Sequence, residues 1–225
     1  MNPILPSPMP QPDSLAPSLA PIDATPQSLG EVETLVWSML KLGVADRRNQ
    51  FHTPTFVTLG VGDYAGLPQA RVVVLRGVDR AARQLRFHTD YRTAKVAELA
   101  ANPDSVFVFY DPESRMQLRV HSRARVHYQD EVAQAAWDAT RLFSRRCYLA
   151  NIASGSPSDR PVSGLPDGWE RRNPNEAESL AGWPNFCTVI AEIVEMDWLL
   201  LEASGQRRAR LKWHGTAWQS SWLAP

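Results

Sequence analysis

From Arg115 to His127 the chain alternates between apolar and polar positions, with Ser122 the one polar residue on the apolar parity. Met116, Leu118, Val120, Ala124 and Val126 share one parity, while Arg115, Gln117, Arg119, His121, Arg123, Arg125 and His127 share the other. A period of two describes a strand with one face in a core and one face wet or at an interface. Shorter runs rich in β-branched and aromatic residues predict further strands at 56–61, 70–78, 84–89, 105–110, 186–201, 208–213 and 217–223. A turn is expected at Gly62–Gly66, a bend near Asp197–Trp198, and a closing hairpin around His214–Thr216.

The helical signals are fewer. Ser28 followed by Glu31 reads as a capping box, and Leu35, Val36, Met39, Leu40 and Leu42 continue it as an amphipathic helix to about Ala45. A short helix at 93–101 is stopped by Asn102-Pro103, and 130–145 reads as one more. Residues 153–185 are rich in glycine, proline and serine and predict a long loop, a candidate lid. Strands do not alternate regularly with helices, which disfavours a doubly wound parallel sheet. The expected fold is mainly β with α: a barrel of antiparallel strands with flanking helices.

Composition narrows the picture. The 225 residues are 44% hydrophobic, enough for a core, and Lys plus Arg equals Asp plus Glu at 24 each. No net charge steers the chain toward nucleic acid, so the arginine-rich face of the long strand is expected at an interface. Eight prolines between Pro3 and Pro26 predict a disordered tail over 1–28, leaving a folded domain at 29–225. No membrane span or signal peptide is read, and a cytoplasmic location is expected. Cys147 and Cys187 read as ordinary thiols of a reducing compartment. His121 and His127 share a strand face without a third ligand, so no metal site is expected.

Three segments carry candidate chemistry: Arg71 to Arg76, Phe87 to Lys95, and Met116 to Arg119. The Arg71 guanidinium offers a rigid fork for phosphate. Lys95 stands at a helix start, where free amides favour an anion, and Thr89 and Thr93 add hydroxyls. Gln117 can both donate to and accept from a ring edge.

In order and spacing these segments resemble the pyridoxamine 5'-phosphate oxidase family of FMN-binding split barrels. Arg-Val-Val-Val-Leu-Arg at 71–76 is similar to that family's Arg-x-Val-Leu-Leu-Lys. Thr-Asp-Tyr-Arg-Thr-Ala-Lys at 89–95 is similar to Thr-Asn-x-x-Ser-Arg-Lys, and Met-Gln-Leu at 116–118 to Arg-Gln-Val. Met196-Asp-Trp198, Arg207 to Arg210 and Trp222 to Pro225 resemble the family's C-terminal signature. The resemblance implies FMN as cofactor, with its phosphate held by Arg71, Thr89, Thr93 and Lys95. It places the backbone of Val72, Val73 and Leu75 against the isoalloxazine, and Arg76, His88 and Gln117 beside the cofactor. Trp198 and Arg210 would come from a second subunit, which implies a homodimer with FMN at the subunit interface.

The pattern departs from the family in places. Ala94 stands where the family has an arginine on the cofactor phosphate, with Arg92 as a candidate replacement. On the substrate side, Arg76 replaces a lysine, and the helix Tyr-x-x-x-Arg-x-x-x-Ser becomes Trp137, Arg141 and Arg145. Gln206-Arg-Arg-Ala-Arg210 lacks the family's substrate histidine. Arg76, Trp137 and Arg141 are the implied substrate-binding residues. The expected activity is an FMN-dependent oxidoreductase acting on a small anion other than pyridoxamine phosphate. The alternative is a split-barrel module that binds flavin or haem without turnover.

Overall fold

The structure is a computed structural model that describes residues 25–225. The expected proline-rich tail falls mostly on residues 1–24, outside the described residues. Its last part is not free: Thr25 Oγ1 donates to Glu202 Oε1, and Arg207 donates to Pro26 O.

Helix α1 (Leu29–Ala45) starts as its residues direct. Ser28 Oγ accepts from Glu31 N, and the Glu31 carboxylate reaches back one residue further than expected, to Gln27 N. Val32, Val36, Trp37 and Leu40 bury its inner face. Among the described residues nine strands then form one antiparallel sheet: β1 (Thr55–Leu59), β2 (Pro68–Val72), β3 (Leu75–Asp79), β4 (Gln84–Asp90), β5 (Asp104–Asp111), β6 (Met116–His127), β7 (Phe186–Leu200), β8 (Arg207–Trp213) and β9 (Trp218–Leu223). Hydrogen bonding runs β2-β1-β5-β6-β7-β4-β3, with β8 and β9 continuing from β7. The two ends of that path, β2 and β3, are joined by Val73 and Val74 alone. The strand expected at 70–78 is therefore two strands, and their junction rolls the sheet into a split barrel. Phe56, Phe87, Phe107, Leu118, Val120 and Val189 fill the interior.

The long alternating strand is β6, and its even-numbered residues from Met116 to Ala124 are buried. Strand β7 pairs with β6 along its length, with β4 through its first half and with β8 through its second. Its irregularity lies at Val194, where two residues of β7 face one step of β6, rather than at Asp197–Trp198.

Helix α2 (Ala94–Ala101) follows β4, and α3 (Glu131–Asp138) follows β6. The single helix expected over 130–145 is broken at Ala139–Arg141 and resumes as α4 (Leu142–Arg145). Arg145 explains the break. Its buried guanidinium donates to Trp137 O, Asp138 O and Thr140 O, taking carbonyls that a continuous helix would use itself.

The 153–185 segment contains only short helical turns. Both its ends are tied to one place. Arg92 Nη2 donates to Ala150 O at 2.8 Å, and Tyr91 N donates to Asn185 O at 2.7 Å. No helix among the described residues is long and apolar enough to cross a membrane.

Candidate active site

Successive residues of a strand point to opposite faces, and β4 uses both. Thr89 turns toward α2, while His88 turns toward α3. Each side carries a cluster of cations.

On the α2 side, Arg71 of β2 and Lys95 of α2 come together. Lys95 Nζ donates to Thr89 Oγ1 at 3.0 Å. Burial pushes the Lys95 ammonium below its usual value, and the Arg71 charge pushes it further. Two cations share the site, and Lys95 has no direct carboxylate partner among the described residues. Cys187 sits behind them with its thiol pushed up to about 12 by burial, so it brings no charge. Thr93 is the N-cap of α2, but its hydroxyl donates to Asp90 O at 2.7 Å instead of capping. The first amides of α2 thus remain open to an anion. Arg71 is half committed: its guanidinium bonds Thr58 Oγ1 and reaches the buried Glu98 at 2.8 Å. Thr58 in turn donates to Glu98, closing a three-membered network.

Arg92 does not stand in for the arginine missing at Ala94. Its Nε donates to Asp90 Oδ1 at 3.0 Å and its Nη2 to Oδ2 at 2.6 Å, and the same group holds Ala150 O.

The remaining implied cofactor residues spread along the barrel. Val72 is exposed, whereas Val73 and Leu75 fill the core. Gln117 is half-buried on the polar face of β6, between Tyr110 and Leu199. Arg210 is exposed on β8, opposite Asp197. Burial alone would raise the Asp197 carboxyl, but bonds from Arg208 and Arg119 hold it below its usual value.

Two implied residues need correction. Trp198 is fully buried in the barrel core, with Leu118 and Ala209 beside it in register, so its ring is not available to a ligand of either subunit. The strand parity that exposes Arg210 buries Trp198. Trp137 is likewise buried, edge-on to Phe186 and Trp183 in a separate aromatic cluster. It supports the second site from behind and does not line it.

That second site, on the α3 side, is a cavity of about 230 Å3. Arg47, Arg76, Arg86 and Arg141 line it with His52, His88, Thr140 and Ser144. None of the four arginines has a carboxylate partner among the described residues, and no Asp or Glu lines the cavity. Arg76 and Arg141, both implied by the resemblance, meet here. Arg86 was legible in principle, two residues before His88 on the same face of β4. Arg47 and Thr140 arrive from a loop and a helix break that carried no signal.

Burial pushes the His88 imidazole down to about 3, with help from Arg86 and Arg76. A histidine whose native value is depressed binds its proton more readily when unfolded. Its contribution to stability is therefore complete above the ordinary value of about 6.5 and shrinks as pH falls toward the native value. Between pH 6.5 and 5 the loss is about 2 kcal/mol. Urea unfolding at pH 7 and pH 5 measures it, and in His88→Gln the difference between the two unfolding free energies is expected to shrink by that amount.

A split barrel of antiparallel strands with a cationic strand-to-helix turn on one side of β4 and an arginine-lined cavity on the other defines an FMN-binding type of fold. Comparison with known proteins finds similarity to one family over part of the chain. Residues 35–128 match the family described as pyridoxamine 5'-phosphate oxidase, FMN-binding domain. Over those residues the chain is similar to that family, and its split-barrel fold is of the same type. It is 38% identical over 82 residues to the pyridoxine/pyridoxamine 5'-phosphate oxidase of Burkholderia thailandensis, covering 36% of this chain and 37% of that one. It is 35% identical over 118 residues to the enzyme of the same name from Azorhizobium caulinodans, covering 52% and 51%. The chain thus spans at most about half the length of these relatives. Among solved structures, a pyridoxamine 5'-phosphate oxidase-related FMN-binding protein of Nostoc punctiforme aligns with a TM-score of 0.67 at 22% identity. That alignment covers 88% of this chain and 100% of the other.

Proposed function

We propose that this protein is an FMN-dependent oxidoreductase acting on a small anionic substrate, working as a homodimer. The observation that carries the reading is the cavity with four unpaired arginines, set one residue along β4 from a second cation pair. Arg76 and Arg86 are half-buried, and Arg47 and Arg141 are exposed at the rim, so the cavity presents concentrated positive charge that an anionic ligand would complement. The residues of the α2 side fit a phosphate: Lys95 and Arg71 supply charge, Thr89 a hydroxyl proton, and α2 its open amides, while Thr93 keeps its hydroxyl on Asp90 O and shapes the turn. When bound, FMN supplies a ring able to accept a hydride equivalent. Its ring edge falls to Gln117 and the 72–75 backbone, and Arg210 would come from the partner subunit. Exposed Leu59, Val72 and Tyr110 on neighbouring strands supply apolar surface for that partner. On the substrate side Arg76 and Arg141 hold the anion.

The test is a titration of the purified protein with FMN and with riboflavin, followed by visible absorption. FMN is expected to bind saturably and more tightly than riboflavin. Lys95→Ala should weaken FMN by roughly 10- to 100-fold, the range of one lost charge-assisted hydrogen bond, and leave riboflavin nearly unchanged. Absence of saturable flavin binding would overturn the reading. Flavin that binds but is reduced by no small anion in an anaerobic panel would favour a binding module instead.

A further inference from the structure

His88 has a tautomer that its neighbours dictate. Thr140 owns a single hydroxyl proton, and Ala136 O accepts it at 2.7 Å. The Thr140 oxygen therefore meets His88 Nδ1, 3.3 Å away, as an acceptor. That places the ring proton on Nδ1 and leaves a bare lone pair on Nε2. Nε2 is buried and has no hydrogen-bond partner among the described residues. The ring is packed edge-on against Phe186, 5.1 Å between centroids, which keeps it from rotating freely. The imidazole is uncharged at neutral pH. Among the arginines of the cavity there are thus two imidazole acceptors: His88 Nε2, buried and unmet, and Nε2 of His52, whose Nδ1 donates to Gly43 O at 2.7 Å.

We propose that this cavity selects anions that bring their own hydrogen-bond donor, a hydroxyl or a protonated acid oxygen, with the arginines taking the charge and His88 Nε2 accepting the donor. Hydroxy acids and singly protonated phosphates have that chemistry, whereas a fully deprotonated oxyanion of the same size leaves Nε2 unmet. The proposal rests on reading this cavity as the anion site, and makes His88 a specificity-determining residue of it.

Inorganic phosphate and sulfate separate the two ideas, being matched in shape and charge but not in protons. Calorimetric titration of the full chain at pH 7.5 is expected to give phosphate binding at least about tenfold tighter than sulfate, the worth of a single satisfied buried group. Arg141→Gln should weaken both anions, which locates the binding. His88→Leu should bring the two affinities together while keeping the anion bound. Nitrogen-15 imidazole spectra should show His88 protonated on Nδ1 and bare on Nε2. Equal affinities in the unaltered protein, or a ring protonated on Nε2, would overturn the proposal and leave the anion cavity standing. Binding of neither anion, or binding indifferent to Arg141→Gln, would overturn the cavity reading and the proposal with it.

Discussion

Arg71→Ala is expected to unfold more easily than the unaltered protein, by roughly 3–5 kcal/mol, in addition to losing flavin affinity. The reason lies in Glu98. Its carboxylate is buried, and Arg71 is the cation that faces it, with Thr58 between them. Removing the guanidinium leaves that charge desolvated and unpaired. A double variant, Arg71→Met with Glu98→Met, removes both charges and should regain most of the stability, because well-packed apolar replacements of a buried pair are often neutral. It should not regain flavin. Chemical denaturation and FMN titration on the two variants therefore separate the structural share of Arg71 from its share in anion binding. A single variant as stable as the parent would mean that Glu98 finds solvent or another partner.

Arg145→Ala is the second change with a large expected effect. This side chain is buried and donates to three carbonyls of the Trp137–Thr140 turn, to Glu176 at 2.6 Å and to Ser179 at 3.2 Å. Its guanidinium also lies 4.8 Å from the centre of the Trp137 ring. The Glu176 bond is exposed on one side and adds little. The carbonyls matter more: Asp138 O and Thr140 O lose their donor, and Trp137 O keeps only Thr140 N. A loss of roughly 3 kcal/mol or more is expected from several unmet buried groups. Thr140 and Arg141 sit in that turn, so phosphate binding should weaken as well. Arg145→Lys, with three donors in place of five, should restore only part of either. Near-ultraviolet circular dichroism of the tryptophans and urea midpoints measure the effect. Unchanged anion binding in a folded Arg145→Ala protein would show that the turn holds its shape without the arginine.

Much of the fold was legible because it follows from two-residue periodicity. Strand β6 declared itself by alternation alone, and the capped start of α1 by Ser28 and Glu31. What alternation could not reveal was where a run of suitable residues is interrupted. Val73 and Val74 have the composition of a strand, yet they form the corner that separates β2 from β3. Residues 130–145 have the composition of a helix, yet a buried arginine takes the carbonyls that would continue it. The candidate site follows the same division. Residues carried by motif positions, such as Arg71, Lys95, Arg76 and Arg141, lie in two cation clusters. Trp198 and Trp137 match the motif as residue types, but their neighbours in register and in the aromatic cluster bury them. Arg47 and Thr140 are brought in by tertiary packing, for which a linear pattern has no sign.

The ties from Arg92 to Ala150 and from Tyr91 to Asn185 pin both ends of a long excursion of the chain to a single turn beside the anion site. For a flexible closure of that kind, doubling the length adds only about 0.6 kcal/mol. The excursion is thus interchangeable in its exposed stretch, residues 154–163, whose length and composition can be rewritten at little thermodynamic cost. Its second half is fixed, because Ser179 meets Arg145 and Trp183 packs on Trp137. A lineage could lengthen or trim the first half and spare the barrel.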